Sequence, residues 1–282
     1  MASHMITVVD ADKKVRLAEL SAEPPKEASR EEAQRQLGEL GEELFELQEL
    51  MWGARTHSVL IVLQGMDTAG KDGAIKHVAG YLNPRGVSVY SFGVPTREEL
   101  EHDFLWRVHR QVPRKGEWTL FNRSHYEDVL VARVENLVPE ELWKERYGHI
   151  RDFEELLSEH GTIVFKFFLH ISPGEQKKRL LGREQDERAA WKLSVGDWQT
   201  RKKWAEYQDA YQDALRRCAS PSAPWYIVPA DSKWFRNLAI AATVVERLRP
   251  YRKIWQRRLD ELGDKARAEL SAYRAAGERA AD

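Results

Sequence analysis

Residues 65–73 read Gly65-Met66-Asp67-Thr68-Ala69-Gly70-Lys71-Asp72-Gly73, a Gly-x4-Gly-Lys pattern that follows the apolar run Ser58-Val-Leu-Ile-Val-Leu63. A glycine-rich turn between a buried strand and a helix points backbone N–H groups at phosphate oxygens, and its lysine adds a point charge. The pattern predicts a phosphate loop lined by Gly65, Thr68, Ala69, Gly70, Asp72 and Gly73. Lys71 would meet the transferring phosphoryl group, where charge gathers in the transition state. Asp72 stands where a Ser or Thr would normally hold Mg²⁺, and a second carboxylate, Asp67, sits inside the loop. A carboxylate among anion-binding amides repels phosphate unless a cation lies between them. Mg²⁺ takes one or two carboxylates together with waters and phosphate oxygens, so Asp67 is the metal candidate. The alternative is a carboxylate that merely caps its own loop. Lys76, on the following helix, is either a second phosphate contact or a solvated lysine.

A second cluster lies at Leu120-Phe-Asn122-Arg123-Ser-His-Tyr126-Glu127-Asp128. In phosphate-loop enzymes the end of a neighbouring strand supplies a second metal carboxylate. Here the place is held by Asn122, which can ligate only through its amide oxygen. Arg123 offers a planar fork suited to phosphate oxygens. Glu127 and Asp128 either restore negative charge or cap a helix, and Tyr126 is grouped with the nucleotide and polyphosphate contacts. Further cations are spread along the chain: Arg107, His109 and Arg110, then Arg133, then Arg183 and Lys192. Each alone reads as a solvated surface charge, but the set fits a longer polyanion than one nucleotide.

The elements that must position these residues recur as βαβ units. Strand signals fall at 58–64, 87–92, 117–122, 162–171 and 225–229, with helical segments near 71–82, 97–112, 126–134 and 139–160. This predicts an α/β three-layer sandwich with a five-stranded parallel sheet and ligands at the carboxyl ends of the strands. Residues 6–29 are polar and are expected to wrap over the surface. From Ser29 to Met51 leucines recur at spacings of three and four, an amphipathic helix with a Ser29–Glu32 capping box. Residues 174–217 interrupt the alternation with two basic helical stretches, the expected place for a mobile lid. The resulting division is an expression-tag scar at 1–5, an N-terminal arm and helix at 6–55, a core at 56–231 containing the lid, and C-terminal helices at 232–282.

Composition narrows the class. The chain has 282 residues, 42% of them hydrophobic, with 44 basic and 45 acidic side chains. So balanced a charge argues against a general nucleic-acid binder. No run approaches the length of a membrane span. Cys218 is the only cysteine, which excludes an intrachain disulfide and leads us to expect a cytoplasmic protein.

Four motifs then carry a resemblance. The loop 65–73, Phe104-Leu-Trp-Arg-Val-His109, Phe121-Asn-Arg-Ser-His-Tyr-Glu-Asp-Val129, and Trp191-Lys192-x-Ser194 with Asp197 occur in order. Together they resemble the second family of polyphosphate kinases over residues 30–255. The resemblance implies a P-loop kinase core, thymidylate-kinase-like, with a helical lid. It also implies Mg²⁺ or Mn²⁺ as cofactor, and transfer of phosphoryl groups from inorganic polyphosphate to nucleotides. The Asn122-to-Asp128 form is similar to the third subclass, which handles both AMP and ADP. By motif, Asp67 and Lys71 fall in the catalytic centre and Arg123, Arg133 and Arg183 in phosphate binding. Asp67 and Asn122 are the metal positions implied, with a homo-dimer or homo-tetramer as the assembly. Two other readings keep the same core: an ATP-dependent nucleotide or small-metabolite kinase, and a non-catalytic nucleotide-dependent interaction protein.

Overall fold

The computed structural model describes residues 6–9, 15–187, 191 and 193–281; the tag-like residues 1–5 and Lys192 lie outside them. Six strands form one mixed sheet: β1 (Thr7–Val9), β2 (Ser58–Gln64), β3 (Val87–Ser91), β4 (Trp118–Asn122), β5 (Thr162–His170) and β6 (Trp225–Pro229). Their order is β1-β6-β5-β2-β4-β3, with the last five mutually parallel and β1 antiparallel to β6. The expected five parallel strands are therefore present, but a sixth closes one edge. Three residues are too short to give a sequence signal, yet Val9 is fully buried.

β2 and β5 are buried at every position, which requires cover on both faces of the sheet. One group of helices comprises α1 (Arg30–Ala54), α2 (Lys71–Ala79), α10 (Lys233–Leu248) and α11 (Arg252–Ala281), which pack on one another. A second group comprises α5 (Val131–Val134), α6 (Glu140–Glu159) and α9 (Trp204–Arg217). Two short helices, α3 (Arg97–Leu100) and α4 (Trp106–His109), lie between β3 and β4, while α7 (Pro173–Gln185) and α8 (Val195–Lys202) lead from β5 to α9.

Local side-chain chemistry explains where the helices depart from expectation. The single helix expected over 97–112 is broken, because Asp103 Oδ1 accepts from the amides of Leu105 and Trp106 at 2.9 and 3.1 Å and starts a new turn there. A capping box between Thr96 and Glu99 fixes the start of α3. Residues 126–134 divide into a 3₁₀ turn at His125–Asp128 and α5. At Ser29 half of the expected box forms: its side chain accepts from the Glu32 amide, but the Glu32 carboxylate turns to Arg35 and Gln36. The arm at 15–28 is more than a surface wrap. Leu17 and Ala22 are buried, and the Leu17 amide donates to Gln212 Oε1 at 3.1 Å.

Among the described residues no helix is long and apolar enough to cross a membrane. Trp255 joins α11 to the core: it is fully buried, stacks on Tyr251 and donates from Nε1 to His57 at 3.2 Å. Trp255→Ala is expected to cost about 3–5 kcal/mol of stability, read as a lower urea midpoint. A change below about 1 kcal/mol would mean that this packing does not hold α11 in place.

Candidate active site

The loop 65–70 leaves the carboxyl end of β2 and enters α2 at Lys71. Two glycines are required by its path. Gly65 has φ +152°, and a Cβ there would lie 2.8 Å from the Leu169 carbonyl. Gly70 has φ +104°, and a Cβ would run into the Arg236 guanidinium. Thr68 adopts φ +64° without being glycine. A β-branched residue in this region is strained by about 1–3 kcal/mol and persists only where its surroundings over-determine it.

Lys71 folds back over the loop, donating to the Gly65 carbonyl at 2.7 Å and the Met66 carbonyl at 3.3 Å. Burial pushes its ammonium below the usual lysine range, opposed by the nearby Asp67 carboxylate. The outward carbonyls of the loop are held from behind. Arg179 of α7 donates to the carbonyls of Thr68 (3.0 Å) and Ala69 (3.2 Å) through one nitrogen, and to those of Ala230 and Asp231 through the other. Gln176 donates to the Asp67 carbonyl at 3.2 Å and is itself held by Arg201. Arg236 is buried against Gly70 and Gly73, and burial together with the charge of Arg179 pulls its pKa down to about 10.

β4 delivers the second cluster. Arg123 follows its last residue in a left-handed conformation, φ +61°, fixed by its amide donating to the Leu63 carbonyl at 3.1 Å. This turn sends the guanidinium across to Asp67 Oδ1 at 2.9 Å. Glu127 lies 3.9 Å from the same guanidinium and accepts from Gln64 Nε2 at 3.0 Å. Asn122 donates from Nδ2 to Asp72 Oδ1 at 2.6 Å. Its Oδ1, like the Thr68 hydroxyl oxygen, is buried without a hydrogen-bond partner.

Asp67 and Arg123 form a wall common to two cavities. One, of about 480 Å³, is bounded by Gly65, Glu127, Val131, Glu135, Lys203, Tyr207 and Tyr211. The other, of about 260 Å³, is bounded by Thr68, Gly70, Lys71, Asp72, Asn122, Arg183, Trp191 and Asp197. Arg183 enters it paired with Asp197 Oδ2 at 2.9 Å. The first cavity combines two phenol rings with the Lys203–Glu135 ion pair at 2.6 Å, on top of the Arg123 pairs with Asp67 and Glu127. The second is mostly polar and carries both signs of charge.

Several residues expected at the site are engaged elsewhere. Tyr126 is fully buried and donates its hydroxyl to Glu154 at 2.8 Å, so it bounds neither cavity. Asp128 is taken by Arg107 and Arg146 at 3.5 and 3.3 Å. Arg107 is buried, bonded to the Gly93 carbonyl and seated over Phe92. His109 packs edge-on to Phe153, and Arg110 lies over Trp106. Arg133 pairs with Asp213 at 2.8 Å and covers Trp143. Lys76 is exposed on α2. Lys192 lies outside the described residues. Sequence reasoning missed Arg179, Gln176, Glu135 and Arg236. Arg179 and Lys203 fall in the basic stretches of 174–217, and Tyr207 and Tyr211 lie in the second of those helices with no sequence signal of their own.

The family model for polyphosphate kinase 2 matches residues 27–255. The chain belongs to this family. An AMP/ADP-polyphosphate phosphotransferase of Meiothermus ruber is 51% identical over 79% of this chain and 83% of that protein. An ADP-polyphosphate phosphotransferase of Rhodopseudomonas palustris is 42% identical over 73% of this chain and 75% of its own length. The crystal structure of polyphosphate kinase 2 from Arthrobacter aurescens TC1 superimposes with a TM-score of 0.82 at 39% identity, covering 85% of this chain and 87% of that one. Both cavities and all the loop contacts, including those of Ala230, Asp231 and Arg236, lie within the matched span.

Burial raises the Glu127 carboxyl above its ordinary range, against the pull of Arg123, Gln64 and Lys71. Above its unfolded pKa the native state thus holds the proton more tightly than the unfolded chain, and stability is lost as pH rises through the folded value. Glu127→Gln removes that loss. The variant should exceed the parent in unfolding free energy by more at about pH 8 than at about pH 5. An equal difference at both values would show that Glu127 carries no such penalty.

Proposed function

We propose that this chain is a polyphosphate-dependent nucleotide kinase that moves the terminal phosphoryl group of inorganic polyphosphate onto AMP and ADP, reversibly. The observation that carries the reading is the shared wall: Asp67 and Arg123 stand between two cavities, so a donor chain end and an acceptor phosphate can approach one pair of side chains from opposite sides. Family membership and the names of the two relatives support the same reaction. The glycine loop acts as a P-loop, and α7–α9 act as a lid over a kinase core.

In the reaction an acceptor phosphate oxygen forms a bond to the terminal phosphorus as the bridging P–O bond to the rest of the chain breaks. The acceptor is already ionised at neutral pH, so no strong general base is needed. Lys71 leaves its two carbonyl contacts for the transferring group. Arg123 and Arg183 neutralise its equatorial oxygens, and the preorganised charges need no rearrangement at the moment of transfer. The phenol-lined cavity suits a nucleoside, and the polar cavity suits phosphates. Movement of α8, the exposed part of this lid, over the larger cavity would exclude water and limit hydrolysis.

The residues present fit a divalent cation. The Asn122 amide nitrogen is committed to Asp72, which leaves the buried Oδ1 without a partner beside the carboxylates of Asp67 and Asp72. Asp67 and Asn122 would hold Mg²⁺, with Mn²⁺ as a substitute. When bound, the cation neutralises phosphate charge that the loop carboxylate would otherwise repel.

Supplying ADP with polyphosphate as sole donor should yield ATP; no ATP above background would reject the reading in favour of an ATP-dependent kinase. Lys71→Ala should remove about 2–4 kcal/mol of transition-state stabilisation, a loss of roughly 30- to 1,000-fold in kcat, while the fold is retained. Undiminished transfer by the folded variant would reject the role of Lys71. Asn122→Asp should alter the ratio of AMP to ADP turnover, measured in parallel assays; an unchanged ratio would place acceptor choice elsewhere.

A further inference from the structure

Beneath the 122–128 turn lies a charged cluster that the reaction does not touch. Lys166, in the middle of β5, is fully buried, as are Glu154 of α6 and His125 and Tyr126 of the turn. All three ammonium donors of Lys166 find acceptors: Glu154 Oε2 at 2.6 Å, the Tyr126 hydroxyl at 3.2 Å and the Cys218 carbonyl at 2.6 Å. The other Glu154 oxygen accepts from Tyr126 at 2.8 Å and lies 3.1 Å from His125 Nε2. The rings of Trp225 and Tyr126 face the ammonium at 5.2 and 5.7 Å.

A buried ion pair is a weak source of stability, because desolvation offsets its attraction and apolar residues of equal volume commonly serve as well. What such a cluster supplies that apolar packing does not is direction. Each hydrogen bond fixes a bearing, and together these bonds fix four segments at one point: β5, α6, the turn and the carboxyl end of α9. The turn carries Arg123 and Glu127 on either side of its two anchored residues. Arg123 holds a left-handed backbone that needs support from its surroundings. The ammonium also sits at the carbonyl end of α9, where the helix dipole favours a cation. Farther back along that helix, Tyr207 and Tyr211 bound the larger cavity. Tyr126 donates rather than ionises, since burial and the adjacent Glu154 carboxylate hold its phenol well above the ordinary range.

We infer that Lys166, Glu154 and Tyr126 are positioning residues that aim Arg123 at the reacting phosphoryl group and fix α9 relative to it. This rests on the kinase reading above. The deciding variant is Tyr126→Phe, which keeps the ring and its packing and removes one hydroxyl; Lys166→Met, which leaves Glu154 buried and unpaired, is its harsher counterpart. With ADP and polyphosphate, Tyr126→Phe should remain folded by circular dichroism. It should lose roughly fivefold or more in kcat with KM within about twofold, as expected when an interaction specific to the transition state is misaimed. In an Arg123→Lys background the same hydroxyl deletion should cost less than about twofold, because the group being aimed has already been replaced. A folded Tyr126→Phe with the parent's kcat, or an equal loss in both backgrounds, would overturn the inference. Failure of Tyr126→Phe to fold would overturn it too, since the cluster would then be a stability element. Absence of ATP formation by the parent enzyme would instead reject the kinase reading.

Discussion

On the proposed kinase reading, a loop that must attract anions carries a carboxylate of its own, and the rest of the site follows from resolving that conflict. Asp67 is tolerable only beside a cation, and the protein supplies one in Arg123, 2.9 Å away. To reach it, Arg123 must leave β4 through a backbone conformation that L-residues rarely adopt. β2 and β4 are direct neighbours, with Leu63 paired to Asn122, so the strained turn and the loop emerge side by side from the sheet. Neighbouring parallel strands are therefore the physical origin of the contact.

Layers of support keep this arrangement from relaxing. Behind the loop, Arg179 and Gln176 take the carbonyls of Asp67, Thr68 and Ala69. Both come from α7, the first helix after β5, so the proposed lid is tied to the loop through its first helix. Below the turn, the Lys166–Glu154 cluster takes the place of apolar packing. Such devices trade stability for placement, the exchange expected where small errors in geometry are costly to transfer rates.

Much of this was legible in the sequence because it is contiguous. The Gly-x4-Gly-Lys run after an apolar strand fixes loop and helix by local rules, and Asn122–Arg123 sits at a strand end for the same reason. The strands at 58–64 and 225–229 match their sequence signals residue for residue. What was hidden depends on distant partners. Tyr126 and Asp128 carry polar atoms inside a contiguous motif, yet their partners on α4 and α6 are absent from any local window. Arg236 lies more than 160 positions from Gly70, and nothing in its own helix marks it. The break in 97–112 turned on one side chain, Asp103, capping in mid-segment. The antiparallel β1 was too short for alternation to appear.

On the proposed reading Asp67 and Arg123 act as one unit in phosphoryl transfer. A double-mutant cycle tests it most directly: Asp67→Asn, Arg123→Lys and the pair, with kcat/KM for ATP formation from ADP and polyphosphate measured for all four proteins. Coupling predicts that the double variant loses less than the sum of the single losses, by about 1–3 kcal/mol. Losses that add to within about 0.5 kcal/mol would contradict the account, since residues acting independently behave that way.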